Sequence, residues 1–306
     1  MVSDPHVLRG ERVVIRDVGP RDGLQPERPV PATERARLID ALFDAGVRHV
    51  EVAAFVSPKA VPAMADPTTV LDAMRRPDDG IVTVLVPNLR GAQDALECAI
   101  DELTLTISAS EAYNQHNVNR SIAESLDAVT GITRLAEAAH VPVDAVVSCA
   151  FGSPFEGDLA PTDVATLGDQ LLDRGCTAVT YADTTGMATP RRIAELIDET
   201  GHAIGLHLHQ TRGTALLNAW TALQLGVRRF DTSVGGLGGS PFAPGAAGNL
   251  ATEEFIAVLD DVGVVTGIDV EGLIDAARLA AELVGHDVPS TVAAVGPRDR
   301  LVTTGE

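Results

Sequence analysis

Aromatic side chains are scarce in this 306-residue chain: one Trp, two Tyr and seven Phe make up 3% of it. Any core must therefore be built from Val, Leu, Ile and Ala, which suits buried parallel strands flanked by Ala-rich helices. Cysteine is nearly absent too. Cys98, Cys149 and Cys176 form neither an even disulfide set nor a zinc spacing, so a reducing compartment is expected. Basic residues run short, with 23 Lys and Arg against 43 Asp and Glu for a net charge of −20. That balance argues against electrostatic binding to nucleic acid or to an anionic membrane, and an anionic ligand would need a local basic pocket. No apolar run approaches the roughly 18 residues of a membrane span, and Met1 to Arg12 lacks the apolar stretch of a secretory signal. The expectation is a cytoplasmic protein whose partners are neither nucleic acid nor membrane.

What the chain does have is alternation. Short β-rich runs fall at Val13–Val18, His49–Phe55, Ile81–Pro87, Leu103–Ser108, Val143–Cys149, Ala178–Ala182, Ala203–His209 and Arg229–Val234. Amphipathic stretches lie between them, at Ala32–Ala45, Ala92–Ala99, Ser121–Ala139, Thr162–Arg174, Pro190–Glu199, Thr214–Leu225 and Thr252–Val262. Pro190 sits where a first helical residue belongs, and Gly46, Gly175 and Gly226 follow three helix ends. Strand then helix, eight times, predicts an α/β fold of the TIM (β/α)8 barrel type. A doubly wound sheet would alternate in the same way, but no GxGxxG turn follows the first strand. A further helix at about Val270–Leu283 predicts a C-terminal helical extension. We expect a single domain over 1–306, with the barrel at about 13–265 and the helical tail at about 267–306; length alone allows this, since such barrels run to about 250 residues before insertions.

A barrel of this kind carries its active site at the C-terminal ends of its strands. There the sequence is polar. Strand one leads to Arg21, Asp22 and Gln25, strand two carries Glu51, strand six leads to Asp183 and Thr184, and strand seven carries His207 and His209. Side chains two apart on a strand share a face, so both imidazoles project together. An inward histidine is commonly a hydrogen-bonded core residue, and the pair alone leaves both readings open. A carboxylate from strand one tips the balance toward a divalent metal, because such ions accept mixed nitrogen and oxygen ligands. Asp22 is the natural candidate, although Asp-Gly is also a turn signal. Arg21 beside it suits an oxyanion that develops during reaction, and equally an ion pair.

The stretch from Gly235 to Asn249 holds six glycines and two prolines in fifteen residues, so it is neither helix nor strand. A plain loop is the simpler reading. At the catalytic end of a barrel, such a loop is the usual place for a lid that excludes water. A phosphate cradle is disfavoured because no GK[ST] follows. Asn249 at its end could give an amide oxygen to a metal.

Four segments carry a resemblance: Val18 to Gln25 (VGPRDGLQ), Phe55 to Lys59, Val86 to Arg90, and Gly235 to Glu253. They resemble the hydroxymethylglutaryl-CoA lyase family, TIM-barrel metallolyases with an RDG-type motif, over nearly the whole chain. The resemblance implies that Asp22, His207, His209 and Asn249 bind Mg²⁺ or Mn²⁺ and that Arg21 stabilises the enolate oxygen of a departing acyl-CoA. A base near Asp22 or His207 would take the substrate's hydroxyl proton, and the carbon–carbon bond would break to give acetyl-CoA and a keto product. Gln25, Glu51, Asp183 and Thr184 would then contact the substrate. Coenzyme A, as part of that acyl-CoA substrate, would cross the barrel mouth near Lys59, Arg90 and Arg120. A homodimer is implied as well.

The chain departs from the family in three places. The lid cysteine held to protonate the carbanion product is here Ser240, and an alcohol is far less acidic than a thiol. Strand two reads Val52-Ala53-Ala54-Phe55 where hydroxyl-bearing residues precede the Phe in the family, and His209 is followed by Gln210-Thr211-Arg212 in place of Asp-Thr-Tyr. The expected activity is therefore cleavage of a 3-hydroxyacyl-CoA related to hydroxymethylglutaryl-CoA, with water or a Ser240-linked relay as proton source. Two alternatives are an acetyl-CoA and keto acid condensing enzyme, and a catalytically altered acyl-CoA-binding homologue.

Overall fold

The computed structural model describes residues 8–239 and 248–300. Eight parallel strands close into one barrel in chain order: β1 (Val14–Asp17), β2 (His49–Ala54), β3 (Ile81–Leu85), β4 (Glu102–Ser108), β5 (Val143–Ser148), β6 (Ala178–Ala182), β7 (Gly205–His207) and β8 (Arg229–Thr232). Closure comes from β1 pairing with β8, where Arg16 lies opposite Asp231. The helices are α1 (Ala32–Asp44), α2 (Pro67–Ala73), α3 (Leu89–Leu96), α4 (Glu111–Val118), α5 (Ile122–Ala138), α6 (Pro161–Asp173), α7 (Pro190–Glu199), α8 (Ala215–Gln224), α9 (Thr252–Asp261), α10 (Val270–Val284) and α11 (Thr291–Val295). This is the expected TIM barrel. Among the described residues, no helix is long and apolar enough to cross a membrane.

Strand parity sorts the core into two regions. Val50, Val52, Val82, Val84, Leu103, Leu105, Val147 and Val179 are buried and belong to the aliphatic cluster that joins the sheet to the helices. The alternate positions carry hydrogen-bonding groups instead. Arg16, His49, Thr83, Glu102, Asp144, Thr180 and Asp231 are all linked to one another across the barrel. Burying so many charges is tolerable only because each has partners.

Two expected boundaries move for local reasons. The helix after β3 begins at Leu89 rather than Ala92, because the Asn88 side chain accepts a hydrogen bond from Gly91 N at 3.0 Å and caps it there. The seventh strand is shorter than Ala203–His209. Only Gly205–His207 pairs as strand, while His209 forms a bridge with Asn249 on the returning limb of the glycine-rich segment.

Gly46, Gly175 and Gly226 end their helices as the spacing suggests. Each has φ between 94° and 99°, and each helix closes with the paired bonds of a Schellman motif, as in Gly46 N to Phe43 O and Val47 N to Leu42 O, both 3.0 Å. The α10 helix packs on the first of these corners, where Asp269 N donates to Ala45 O at 2.8 Å. The chain beyond it reaches the root of the glycine-rich segment, and Ser290 N donates to Gly235 O at 3.1 Å.

The three caps are not equivalent. A Cβ at Gly46 would stand 2.5 Å from the Gly267 carbonyl oxygen, whereas one at Gly226 meets nothing within 4 Å. Gly226→Ala should cost about 1 kcal/mol for the left-handed backbone alone, and Gly46→Ala should cost distinctly more. Chemical denaturation of the two variants checks this; equal losses would contradict it.

Candidate metal centre and active site

After β1 the chain winds into a tight π-type turn, Gly19–Gly23, in which the amides of Arg21, Asp22 and Gly23 all converge on Val18 O at 3.1, 2.6 and 3.2 Å. This turn lifts Asp22 over the barrel mouth. Across from it, His207 ends β7 and His209 follows two residues on, with their rings 5.0 Å apart. One ligand atom from each of Asp22, His207 and His209 lies within 4.8 Å of the others, and among the described residues this is the group of His, Cys, Asp and Glu able to share an ion.

Asn249 joins this group through the chain's return. Gln210 N donates to Gly248 O and Leu250 N to Leu208 O, so residues 248–250 run beside 208–210. The Asn249 amide nitrogen donates to Asp22 Oδ2 and to Leu237 O, each at 2.8 Å. That leaves Asn249 Oδ1 buried with no hydrogen-bond partner, and His209 Nδ1 is buried unpartnered as well. The orphaned amide oxygen beside a carboxylate and two imidazoles fits a bound cation, since buried polar atoms are otherwise satisfied. A Cβ at Gly238 would reach within 2.5 Å of Asn249 Nδ2 and 3.3 Å of Asp22 Oδ2, so only glycine lets this segment pass so close to the pair.

Arg21 is fixed from two sides. Its Nη1 donates to Asp22 Oδ1 at 2.7 Å and its Nε to Glu51 Oε2 at 2.5 Å. Thr104 Oγ1 occupies the other oxygen of Glu51. Glu51 therefore stands behind Arg21 with both oxygens engaged, and it does not line the cavity. Burial opposes ionisation of Asp22, but Arg21 and the two histidines hold its carboxyl down at about 2. Burial, reinforced by the neighbouring His207, brings His209 down to about 4, so its ring is neutral and able to ligate.

The cavity above this group measures about 490 Å³. Arg21, Asp22, Gln25, Thr184, His207 and His209 line it, as do Arg120 and Tyr113 on the α4 side. Three larger hollows, about 850, 850 and 750 Å³, hold no such cluster among the described residues. Asp183 sits under the floor rather than on it. Its Oδ1 accepts from Met187 N and Ala188 N at 2.6 and 2.9 Å, and burial pushes its carboxyl up to about 6. Lys59 is exposed outside the cavity lining, and Arg90 is paired with Asp94 on the surface of α3. Ser240 lies outside the described residues. Two of the departures in sequence have local work: Gln210 Oε1 accepts from Ala215 N at the start of α8, and Arg212 holds the carbonyls of Thr185 and Gly186.

Sequence reasoning passes over four buried groups around this centre. Asp231 faces His207 from below, with Arg16 beneath it. Asp17 and Glu253 anchor the root of the glycine-rich segment: Asp17 accepts from Gly19 N at 2.8 Å and from Thr252 Oγ1 at 2.6 Å, and both oxygens of Glu253 accept from Gly235 N at 3.1 Å. The signal that marks Arg16, Asp17 and Asp231 is a charged residue within a strand whose every position from Ile15 to Asp17 and from Phe230 to Thr232 is buried.

Fold and site together define a TIM-barrel enzyme with a candidate metal centre at the C-terminal mouth of its barrel. The family model described as HMGL-like matches residues 12–280. The chain is 39% identical over 289 residues to the mitochondrial hydroxymethylglutaryl-CoA lyase of Rattus norvegicus, covering 92% of this chain and 89% of that protein. It is 38% identical to a hydroxymethylglutaryl-CoA lyase of Bacillus subtilis, covering 92% and 96%. Among solved structures, an HMG-CoA lyase of Acinetobacter baumannii in complex with coenzyme A and 3-methylmalate matches at 37% identity with a TM-score of 0.91, covering 100% of both chains. The chain belongs to the HMGL-like family of hydroxymethylglutaryl-CoA lyases, and it is a carbon–carbon lyase.

The buried carboxyls at the loop root set a pH dependence. Burial lifts both Asp17 and Glu253 to about 7, and each also feels a neighbouring carboxylate's charge. Unfolded, they would titrate near 3.9 and 4.3, about the ordinary values. The folded chain thus holds their protons more tightly, and the stability they contribute is full below about pH 4 and lost as pH rises through about 7. Asp17→Asn should therefore raise Tm over the wild type more at pH 8 than at pH 5. Parallel Tm profiles for the two proteins would contradict this.

Proposed function

We propose that this chain cleaves 3-hydroxy-3-methylglutaryl-CoA, or a closely related 3-hydroxyacyl-CoA, to acetyl-CoA and a keto product; for hydroxymethylglutaryl-CoA the latter is acetoacetate. The observation that carries the reading is the convergence of Asp22, His207 and His209 within 4.8 Å, beside the unpartnered Oδ1 of Asn249, in a chain 39% identical to a lyase. Asp22, His207, His209 and Asn249 would hold a divalent ion, since such ions accept mixed nitrogen and oxygen donors, and the family resemblance implies Mg²⁺ or Mn²⁺. When bound, a divalent cation supplies Lewis acidity toward the substrate's hydroxyl and acyl oxygens.

The protein's own groups do the rest. A base near Asp22 or His207, both of which lie at the cavity wall, accepts the proton of the tertiary hydroxyl. The oxygen's electrons form the new carbonyl as the carbon–carbon bond breaks, and that bond's electron pair moves onto the thioester as an enolate. Arg21, held in aim by Glu51, donates to the enolate oxygen where charge develops. A proton from water or from a relay through Ser240 then completes the methyl group of acetyl-CoA. Gln25 and Thr184 contact the acyl chain from the cavity wall, with Arg120 placed for an anionic group of coenzyme A. Glu51 and Asp183 act on the substrate only through the residues they hold. The reading includes a cytoplasmic location, supported by three cysteines that stay unpaired.

The test is incubation of the Mg²⁺- or Mn²⁺-supplemented protein with a panel of 3-hydroxyacyl-CoA thioesters and mass detection of both products. Acetyl-CoA and its keto partner should appear and should vanish when metal is chelated. No cleavage of any 3-hydroxy-3-alkylglutaryl-CoA or of citramalyl-CoA would overturn the proposal, and thiol release from acetyl-CoA with a keto acid would favour the condensing direction. Ser240→Cys should preserve or raise the rate. Arg21→Met should lower kcat by about 10² to 10³, the usual cost of losing an oxyanion donor, and an unchanged kcat would remove Arg21 from the mechanism.

A further inference from the structure

Below the candidate metal centre the barrel interior holds a connected set of charges that the reaction does not itself require. His207 stands between two carboxylates, with Nε2 3.8 Å from Asp22 Oδ2 and Nδ1 3.3 Å from Asp231 Oδ2. Asp231 is in turn gripped by a guanidinium fork: Arg16 Nε lies 2.8 Å from Oδ1 and Nη2 lies 2.9 Å from Oδ2. The third nitrogen of Arg16 is 2.8 Å from Asp144 Oδ2 and 3.3 Å from Glu102 Oε2. Arg16 is 1% exposed. One side chain of β1 is thus pinned by β4, β5 and β8, and through β8 it touches the histidine of β7.

We propose that Asp231 and Arg16 are positioning residues for the metal centre, acting through His207. A carboxylate can only accept, so the His207 nitrogen facing Asp231 is the one that carries hydrogen. That selects the tautomer whose free lone pair is on Nε2, the nitrogen turned toward Asp22. A lone aspartate could rotate and release the ring. The two-point grip of Arg16 removes that rotation, because bidentate guanidinium–carboxylate pairs fix orientation as well as distance. Outer groups of this kind govern how tightly a histidine ligand holds its metal. The inference rests on the reading of Asp22, His207 and His209 as a divalent-ion site.

A control lies in the same interior layer. Arg229 bonds to Asp144 at 3.3 Å, Thr180 Oγ1 at 3.1 Å and Val179 O at 3.0 Å, with no bond to Asp231. The experiment is calorimetric titration of Mn²⁺ into the full-length wild type and into Asp231→Asn, Arg16→Met, Arg16→Lys and Arg229→Met. Long-range ¹H–¹⁵N spectra of the metal-free proteins report the His207 tautomer alongside. Asp231→Asn and Arg16→Met should weaken Mn²⁺ binding by about 10- to 100-fold and lose the Nδ1–H signature. Arg16→Lys should recover part of the affinity, and Arg229→Met should lower Tm without moving Kd. Asp231→Asn keeps the shape of the side chain, so the test stands even where Arg16→Met folds poorly. Affinities of Asp231→Asn and Arg16→Lys within about twofold of the wild type, or an equal loss in Arg229→Met, would overturn the inference while leaving the metal site standing. A wild type that binds no Mn²⁺ would overturn both.

Discussion

Everything at the mouth of this barrel depends on holding a carboxylate, two imidazoles and an amide oxygen together in one buried place. Lone pairs that face one another in a buried place are costly, and the surrounding structure is arranged to keep them there. Arg21 neutralises one side of Asp22 and is braced by Glu51. Asn249 ties its amide hydrogens to Asp22 and Leu237, which turns its oxygen free. Asp231 steadies His207 from below. The Asn249 amide oxygen that remains without a partner is one a divalent ion would use.

The barrel makes this arrangement through strand parity. Outward positions bear Val, Leu and Ile and build the aliphatic core against the helices, so the inward positions are free to carry polar groups. Arg16, Asp144, Glu102 and Asp231 use that freedom deep in the barrel, and His207 uses it at the mouth. A rigid interior matters for catalysis, because an oxyanion donor or a ligand displaced by about 1 Å loses much of its effect. The glycine-rich segment contributes differently. Its root is fixed by Asp17 and Glu253, and Gly238 lets it pass against Asp22 and Asn249.

Much of this architecture is legible in the amino-acid sequence. Alternation locates all eight strands, the glycines past helix ends mark true left-handed caps, and the two-residue spacing puts His207 and His209 on one face. The supporting groups are hidden for a physical reason. Arg16 and Asp231 are 215 residues apart in sequence and meet only because β1 closes against β8, and no local pattern encodes that pairing. Glu51 reads as a substrate contact because it lies on a polar strand, yet its partners Arg21 and Thr104 come from other parts of the barrel and take both its oxygens. The turn amides that Asp183 caps through Oδ1 are likewise visible only in three dimensions.

On the proposed reading, Asp22, His207 and His209 share one divalent ion. Pulsed electron paramagnetic resonance of Mn²⁺ bound to protein carrying ¹⁵N-labelled histidine tests it most directly. A shared ion should show hyperfine coupling to two imidazole nitrogens, with one coupling lost on replacing either His207 or His209. A Mn²⁺ spectrum showing only oxygen ligands, or one indifferent to both replacements, would contradict it.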